Sequence, residues 1–202
     1  MKRKLPRLHA VANDEVLALS DFDARAAAIA SIPGTAVHIR SGSLGGRRLT
    51  ELAESAMGSC EVGHIFLNDR VDIARIVGAD GVHLPAAGLS VAFARSLVGP
   101  ECWIGRSAHC SEAVARAADE GADYVFLGPI WPTASHPDSK PLGPAALSLA
   151  YDLPVIAIGG VTPERVAECL RLGAYGVAAI SSIWFARDAT STARDLSLSF
   201  PP

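Results

Sequence analysis

Eight short runs of apolar or β-branched residues recur along the chain, and each is followed by an Ala/Leu/Arg/Glu-rich stretch with helical spacing. No other feature constrains the fold as much. The runs fall at 8–12, 36–40, 64–67, 81–84, 102–105, 124–127, 155–158 and 177–180, and helices are predicted over 21–31, 46–57, 71–77, 89–97, 111–120, 144–150, 163–172 and 189–198. The runs are almost wholly apolar instead of alternating, as strands covered on both faces must be, so the sheet is expected to be parallel with helices over it. Eight such units predict an α/β protein, a TIM (β/α)8 barrel, for which 202 residues is short but sufficient. An open doubly wound sheet is the alternative. Its first turn would carry a glycine-rich dinucleotide fingerprint, and Val11-Ala12-Asn13-Asp14-Glu15 has none.

Local punctuation supports the alternation. Ser111 is placed as an N-cap and Pro163 at a first helical position. Gly78, Gly121 and Gly173 each follow a predicted helix, where a left-handed residue needs no Cβ. Gly-Ala-Asp at 78–80 and 121–123, and Gly-Ala-Tyr at 173–175, repeat one helix-to-strand turn, and no linker separates a second domain from a single domain over 1–202.

Composition narrows the function classes. Half the residues are hydrophobic and 19 % are charged, which argues against a disordered chain. The formal net charge of -3, without a block of like charges, argues against nucleic acid as a partner. No run reaches the roughly 18 apolar residues of a membrane helix. Met1-Lys2-Arg3-Lys4 is basic, but Leu5-Pro6-Arg7 stands where a signal peptide would be apolar. Cys60, Cys102, Cys110 and Cys169 show no CxxC spacing and read as reduced thiols of a cytoplasmic protein.

Ile158-Gly159-Gly160-Val161-Thr162 and the stretch Gly173 to Ser182 are apolar strands running into small residues and then helices. Paired loops of this kind after the last two strands of a barrel form a phosphate site. In such a barrel the chemistry lies at the C-terminal strand ends. Those positions hold His38 and Arg40 after strand 2, Asn68, Asp69 and Arg70 after strand 3, and His83 on strand 4. Arg106, Ser107 and His109 follow strand 5, while Thr133, Ser135, His136 and Lys140 lie in the long loop after strand 6. Arg40 closes an apolar strand and must be paired or face a ligand, for which its planar fork suits a phosphate or carboxylate. His83 reads either as a hydrogen-bonded core residue or as a ligand contact, Asp69 as a ligand or as a cap for the helix at Val71, and Lys140 as a phosphate contact or plain surface.

The succession Leu67-Asn68-Asp69-Arg70, Gly81-Val82-His83-Leu84, Gly105-Arg106-Ser107-Ala108-His109, Val125-Phe126-Leu127-Gly128-Pro129-Ile130-Trp131-Pro132-Thr133 and Ile158-Gly159-Gly160-Val161-Thr162 resembles the thiamin phosphate synthase/TenI family, in the right order from strand 1 to about Ile183. That resemblance implies a TIM barrel with one of two activities. Synthases couple hydroxymethylpyrimidine pyrophosphate to a thiazole phosphate with release of pyrophosphate and Mg2+ help. TenI proteins bind a thiazole carboxylate phosphate and tautomerise it. Both hold the thiazole phosphate at positions matching Gly160, Ile180 and Ser181.

The synthase pattern is incomplete. Its strand-2 Gln-x-Arg-x-Lys reads His38-Ile39-Arg40-Ser41-Gly42, and its second Mg2+ aspartate falls within Pro85-Ala86-Ala87-Gly88. Its first aspartate matches Asp69, its strand-5 serine and histidine match Ser107 and His109, its strand-6 threonine matches Thr133 and its lysine matches Lys140. Leu8-His9-Ala10, His38-Ile39-Arg40 and Arg106 are closer to TenI, yet Pro129 occupies the place of the TenI proton-transfer histidine. Proline moves no proton, so His109, His38 or His136 would have to do so.

The resemblance thus implies a TenI-like thiazole tautomerase, with a synthase or a silent thiazole-phosphate binder as alternatives. Gly159, Gly160, Ile180, Ser181 and Ser182 would hold the phosphate, Arg40 and Lys140 would neutralise charge, and Ser107, His109 and Thr133 would orient the ring. Asp69 is the candidate metal ligand, and no cofactor is expected beyond Mg2+ for synthase activity. The expected partner is a thiazole phosphate or thiamin phosphate, with a homo-oligomer also allowed.

Overall fold

Eight parallel strands close into a barrel in chain order: β1 (Leu8–Ala12), β2 (Thr35–Ile39), β3 (His64–Asn68), β4 (Gly81–Leu84), β5 (Trp103–Ala108), β6 (Tyr124–Leu127), β7 (Val155–Ile158) and β8 (Gly176–Ala179). β1 pairs with both β2 and β8, so the sheet has no free edge. This is the TIM barrel predicted from the repeat. The structure, a computed structural model, describes residues 4–133 and 139–200. Among them no helix is long and apolar enough to cross a membrane.

The helices are α1 (Asp14–Leu17), α2 (Phe22–Ala30), α3 (Gly46–Gly58), α4 (Val71–Val77), α5 (Val91–Val98), α6 (Ser111–Asp119), α7 (Pro163–Arg171), α8 (Ser181–Trp184) and α9 (Ala189–Leu198). Most lie within two residues of the predicted spans. The differences have local causes. Ser90 accepts a hydrogen bond from the Phe93 N–H at 3.2 Å and starts α5 later than expected. Ser111 is the first residue of α6 instead of its cap, a place Cys110 takes without a side-chain bond. The segment predicted as a helix over 144–150 is a 3-10 helix, Pro144–Ser148. The short α1 and α8 are each a single turn and left no period in the sequence. Gly78, Gly121 and Gly173 all have positive φ (70°, 83° and 105°), as their turns required.

Strand side chains alternate between two apolar layers. Leu8, Ala10, Val37, Ile39, Leu67 and Val82 face the helices, whereas Val11, Ala36, Phe66, Tyr124, Phe126 and Ile156 fill the barrel interior. His9, His38 and His83 are buried among the interior rings. Glycine makes the room. A Cβ on Gly105 would stand 2.1 Å from Cζ of Tyr124, and one on Gly81 would stand 2.5 Å from the Phe66 ring.

Candidate functional site

A cavity of about 640 Å3 opens at the C-terminal ends of the strands. Its β7–β8 side is backbone. Gly159 and Gly160 both adopt positive φ, 90° and 67°. Neither tolerates a side chain, because a Cβ would lie 2.6 Å from Pro129 Cβ at the first and 2.7 Å from Trp131 Cβ at the second. The β6 loop is laid against this pair by Ile130 N–H donating to the Ile158 carbonyl (2.9 Å) and Trp131 N–H to that of Gly159 (3.0 Å). The Gly128–Pro129 peptide is cis. Arg165 of α7 bonds the Gly160 carbonyl and sets its guanidinium 4.8 Å from the centre of the Trp131 ring.

Ile180 is the N-cap of α8, and Ser181 and Ser182 open it. The first N–H groups of a helix have no intrahelical acceptor, so this turn offers donors beside the glycine pair. Ser182 Oγ donates to the Val161 carbonyl (2.8 Å), which leaves its main chain for a ligand. Gly159, Gly160, Ile180, Ser181, Ser182 and Thr133 all line the cavity.

The opposite side carries side chains. Ser107 and His109 project from the end of β5 and beyond, and both reach the cavity. His109 Nδ1 lies 2.6 Å from the Gly128 carbonyl oxygen. A carbonyl only accepts, so Nδ1 bears a proton, and Nε2 is the nitrogen through which the ring can act on a ligand. His83 is the hydrogen-bonded core residue of its two readings, and it also borders the cavity. It is 2 % exposed, yet its Nε2 lies 2.9 Å from Ser107 Oγ and its Nδ1 3.2 Å from the Tyr124 hydroxyl. Burial pushes its protonation well below the ordinary histidine range.

Asp69 lies in the left-handed region (φ 66°) and lines the cavity. Its N–H donates to the His83 carbonyl at 2.9 Å, which ties the turn to β4. The capping alternative for Asp69 is removed, since Arg70 is the N-cap residue of α4. Arg70 itself turns to the Asp72 carboxylate, at 2.6 and 2.9 Å. Arg106 is also drawn away, to the Leu89 (2.5 Å) and Ala86 (3.1 Å) carbonyls, so it fixes the loop after β4.

Arg40 is exposed, lies one residue beyond β2 and lines the cavity. Asp14, a residue the sequence reading passed over, holds the next three residues. Its carboxylate accepts from Ser41 Oγ, Ser43 Oγ (2.7 Å) and the Gly42 N–H (3.0 Å), bonds that keep its pKa below the usual carboxylate range. The polar Asn13-Asp14 pair directly after an apolar strand is the signal that could have found it.

Two expected residues sit elsewhere. His38 is fully buried beneath the cavity, where desolvation lowers its pKa to about 4. It packs between His9 and Asn68 and does not line the site. Lys140 is exposed and also outside the lining. His136 and Ser135 fall outside the described residues. Among those residues no cluster of three or more His, Cys, Asp or Glu is arranged to hold a metal.

Comparison with known proteins gives a consistent result. A family profile described as thiamine monophosphate synthase matches residues 8–183. The chain is 40% identical over 193 residues to the thiamine-phosphate synthase of Methanoculleus marisnigri, covering 92% of each chain. It is 46% identical over 134 residues to the thiamine biosynthesis bifunctional protein ThiM/ThiE of Symbiobacterium thermophilum, a match spanning 64% of this chain and 28% of that longer one. Among solved structures, thiamine phosphate pyrophosphorylase from Pyrococcus furiosus superimposes with a TM-score of 0.81 at 28% identity, over 96% of this chain and 94% of that one. With the barrel, the glycine pair and the strand-end polar residues in the family's order, the chain belongs to the thiamine monophosphate synthase (TMP-TENI) family.

Proposed function

We propose that the chain is a thiamin phosphate synthase, coupling hydroxymethylpyrimidine pyrophosphate to a thiazole phosphate. The observation that carries this reading is the pairing, in one cavity, of a main-chain phosphate cradle at Gly159, Gly160 and Ser181 with Arg40 and Asp69 across from it. Two anionic groups need two such places. The names of relatives matching over most of their length, such as that of Methanoculleus marisnigri, support the same reading over the tautomerase that the strand-1 and strand-2 motifs suggested.

The residues fit the chemistry. In the coupling a bond forms to the methylene carbon of the pyrimidine while its bond to pyrophosphate breaks, and the electron pair leaves with pyrophosphate. The N–H groups of the cradle hold the thiazole phosphate, and Ser107 and Thr133 orient the rings. Arg40 faces the developing charge of the leaving group, the charge such a site must stabilise most. Asp69 would hold Mg2+, which can bind through one carboxylate together with substrate phosphate oxygens and would supply further charge neutralisation there. Mixing both substrates with the protein and Mg2+ should release pyrophosphate in step with thiamin phosphate formation. Binding of the thiazole phosphate without release of pyrophosphate would defeat the proposal.

His109 favours a second reading. With its proton fixed on Nδ1 by Gly128, its Nε2 is set to accept a proton from a cavity ligand, which a thiazole tautomerase needs. Conversion of thiazole carboxylate phosphate without any coupling activity would select that reading.

A further inference from the structure

Arg165 stands where a helix by itself gains nothing from it. It lies in the first turn of α7, just after Pro163 and Glu164, at the end of a helix where a cation is disfavoured. Among the described residues no carboxylate lies within ion-pair distance of its guanidinium. Its partners lie in another direction. One guanidinium N–H donates to the Gly160 carbonyl, and the same group sits over the Trp131 ring, 4.8 Å from its centre. Arg165 itself does not line the cavity, whereas Gly160 does.

These contacts fall where the main chain can no longer hold the β6 loop. Ile130 and Trp131 donate to the Ile158 and Gly159 carbonyls (2.9 and 3.0 Å), and Leu142 and Gly143 donate back to those of Pro129 and Ile130 (2.8 and 3.1 Å). Pro132 comes next, and proline has no N–H with which to extend the ladder toward Thr133. The loop nevertheless stays in close contact with the glycine pair. A Cβ on Gly160 would stand 2.7 Å from Trp131 Cβ and 2.8 Å from the Pro132 carbonyl oxygen. A side chain therefore supplies the tie that the main chain lacks. Arg165 holds Gly160 at one edge of its guanidinium and Trp131 against its face, two contacts that a planar fork makes together and an ammonium does not.

We propose that Arg165 is a positioning residue, clamping the Trp131 ring onto the glycine pair so that the phosphate cradle and the β6 loop carrying Thr133 are set as one unit. Phosphate held at Gly160 is then felt at Trp131, and through it at Thr133, which lies two residues on and lines the cavity. Where the phosphate sits thereby decides where the loop meets the rest of the ligand. The inference rests on the reading of Gly159 and Gly160 as a phosphate cradle and not on the coupling reaction. Loss of the synthase reading alone would leave it standing.

The test is 15N-correlated NMR of the full chain titrated with inorganic phosphate. The Gly160 amide reports the cradle, and the Trp131 indole N–H, assigned with Trp131→Phe, reports the loop. In the wild type both signals should move along one binding curve. Arg165→Met keeps the aliphatic stem and removes the charge and the donors. In that variant the Gly160 curve should weaken by about 5- to 10-fold, and the Trp131 indole should no longer follow it. Arg165→Lys should stay close to Arg165→Met, because it restores the charge without the planar fork. An unchanged Gly160 curve in folded Arg165→Met, a Trp131 signal that still follows it, or full recovery in Arg165→Lys overturns the inference alone, whatever happens to the melting temperature. A wild-type Gly160 amide that ignores phosphate defeats the cradle reading and this inference together. If neither variant folds, the wild type decides: a Trp131 signal that moves with Gly160 upholds the clamp, and one that stays still overturns it.

Discussion

His109 Nδ1 and the Gly128 carbonyl oxygen are 2.6 Å apart, so a single hydrogen bond joins the loop after β5 to the end of β6. That bond fixes the ring's tautomer, and it makes His109 the cavity imidazole whose free nitrogen is not already committed to another side chain, in contrast to His83.

Replacing His109 by Ala therefore separates the two activities. Tautomerisation, if present, should fall by about 10²- to 10⁴-fold, the usual contribution of a positioned acid–base group. Coupling should fall much less, since it needs the ring only for orientation. Steady-state rates of the two reactions measured on the same preparation check this.

Gly159→Ala should weaken phosphate binding and cost roughly 1–3 kcal/mol of stability, because the backbone is left-handed there and the new methyl meets Pro129 at 2.6 Å. Thermal unfolding with and without inorganic phosphate would show both a lower midpoint and a smaller phosphate-induced rise. A wild-type rise would separate the glycine from the cradle.

Asp69→Asn keeps a residue that tolerates the left-handed conformation while removing the charge. The fold should survive and the Mg2+ dependence of pyrophosphate release should be lost. Circular dichroism and a Mg2+ titration of the rate test the two halves separately.

Stability should fall with acid well before the carboxylates titrate. His9, His38 and His83 have folded pKa values lowered by burial, to about 4 for His38 and well below the ordinary value for the other two. Between those values and the unfolded value of 6.5 the unfolded chain binds more protons, so stability is complete above about pH 6.5 and declines as pH drops through that window. The fall to about 4 at His38 alone corresponds to roughly 3 kcal/mol. Urea unfolding at about pH 7.5 and about pH 5 should differ by about 2 kcal/mol from His38 alone, the remainder being lost as pH falls through about 4.

Asp14→Ala should release the 41–43 segment without unfolding the exposed loop it holds. KM for the pyrophosphate-bearing substrate should rise several-fold through Arg40 next door, with kcat changed less. Equal loss in both would mean that Asp14 acts on the reacting atoms instead.

The barrel was legible because apolar strands and helix-ending glycines are local signals, each interpretable within about ten residues. The glycine turn after β7 was legible for the same reason, as Gly159 and Gly160 stand out without any distant partner. What escaped depends on register. His9 and His38 are 29 residues apart and meet because β1 and β2 pair Val11 with His38, a relation no local pattern carries. The same holds for Asp14 reaching Ser41 and Arg165 reaching Gly160. Arg106 looked like a site residue because strand-end arginines do, and only its distant carbonyl partners show that it serves the loop after β4, whereas Arg70 is held by the nearby Asp72.

The absence of a side chain at Gly105 reaches as far as the chemistry. Its missing methyl is the space occupied by the Tyr124 ring, whose hydroxyl supports His83, which in turn meets Ser107 in the cavity. Residue 105 and residue 124 are therefore free to vary only as a pair, a larger residue at one demanding a smaller ring at the other. Any redesign of the substrate pocket that begins at Ser107 inherits that exchange two layers down.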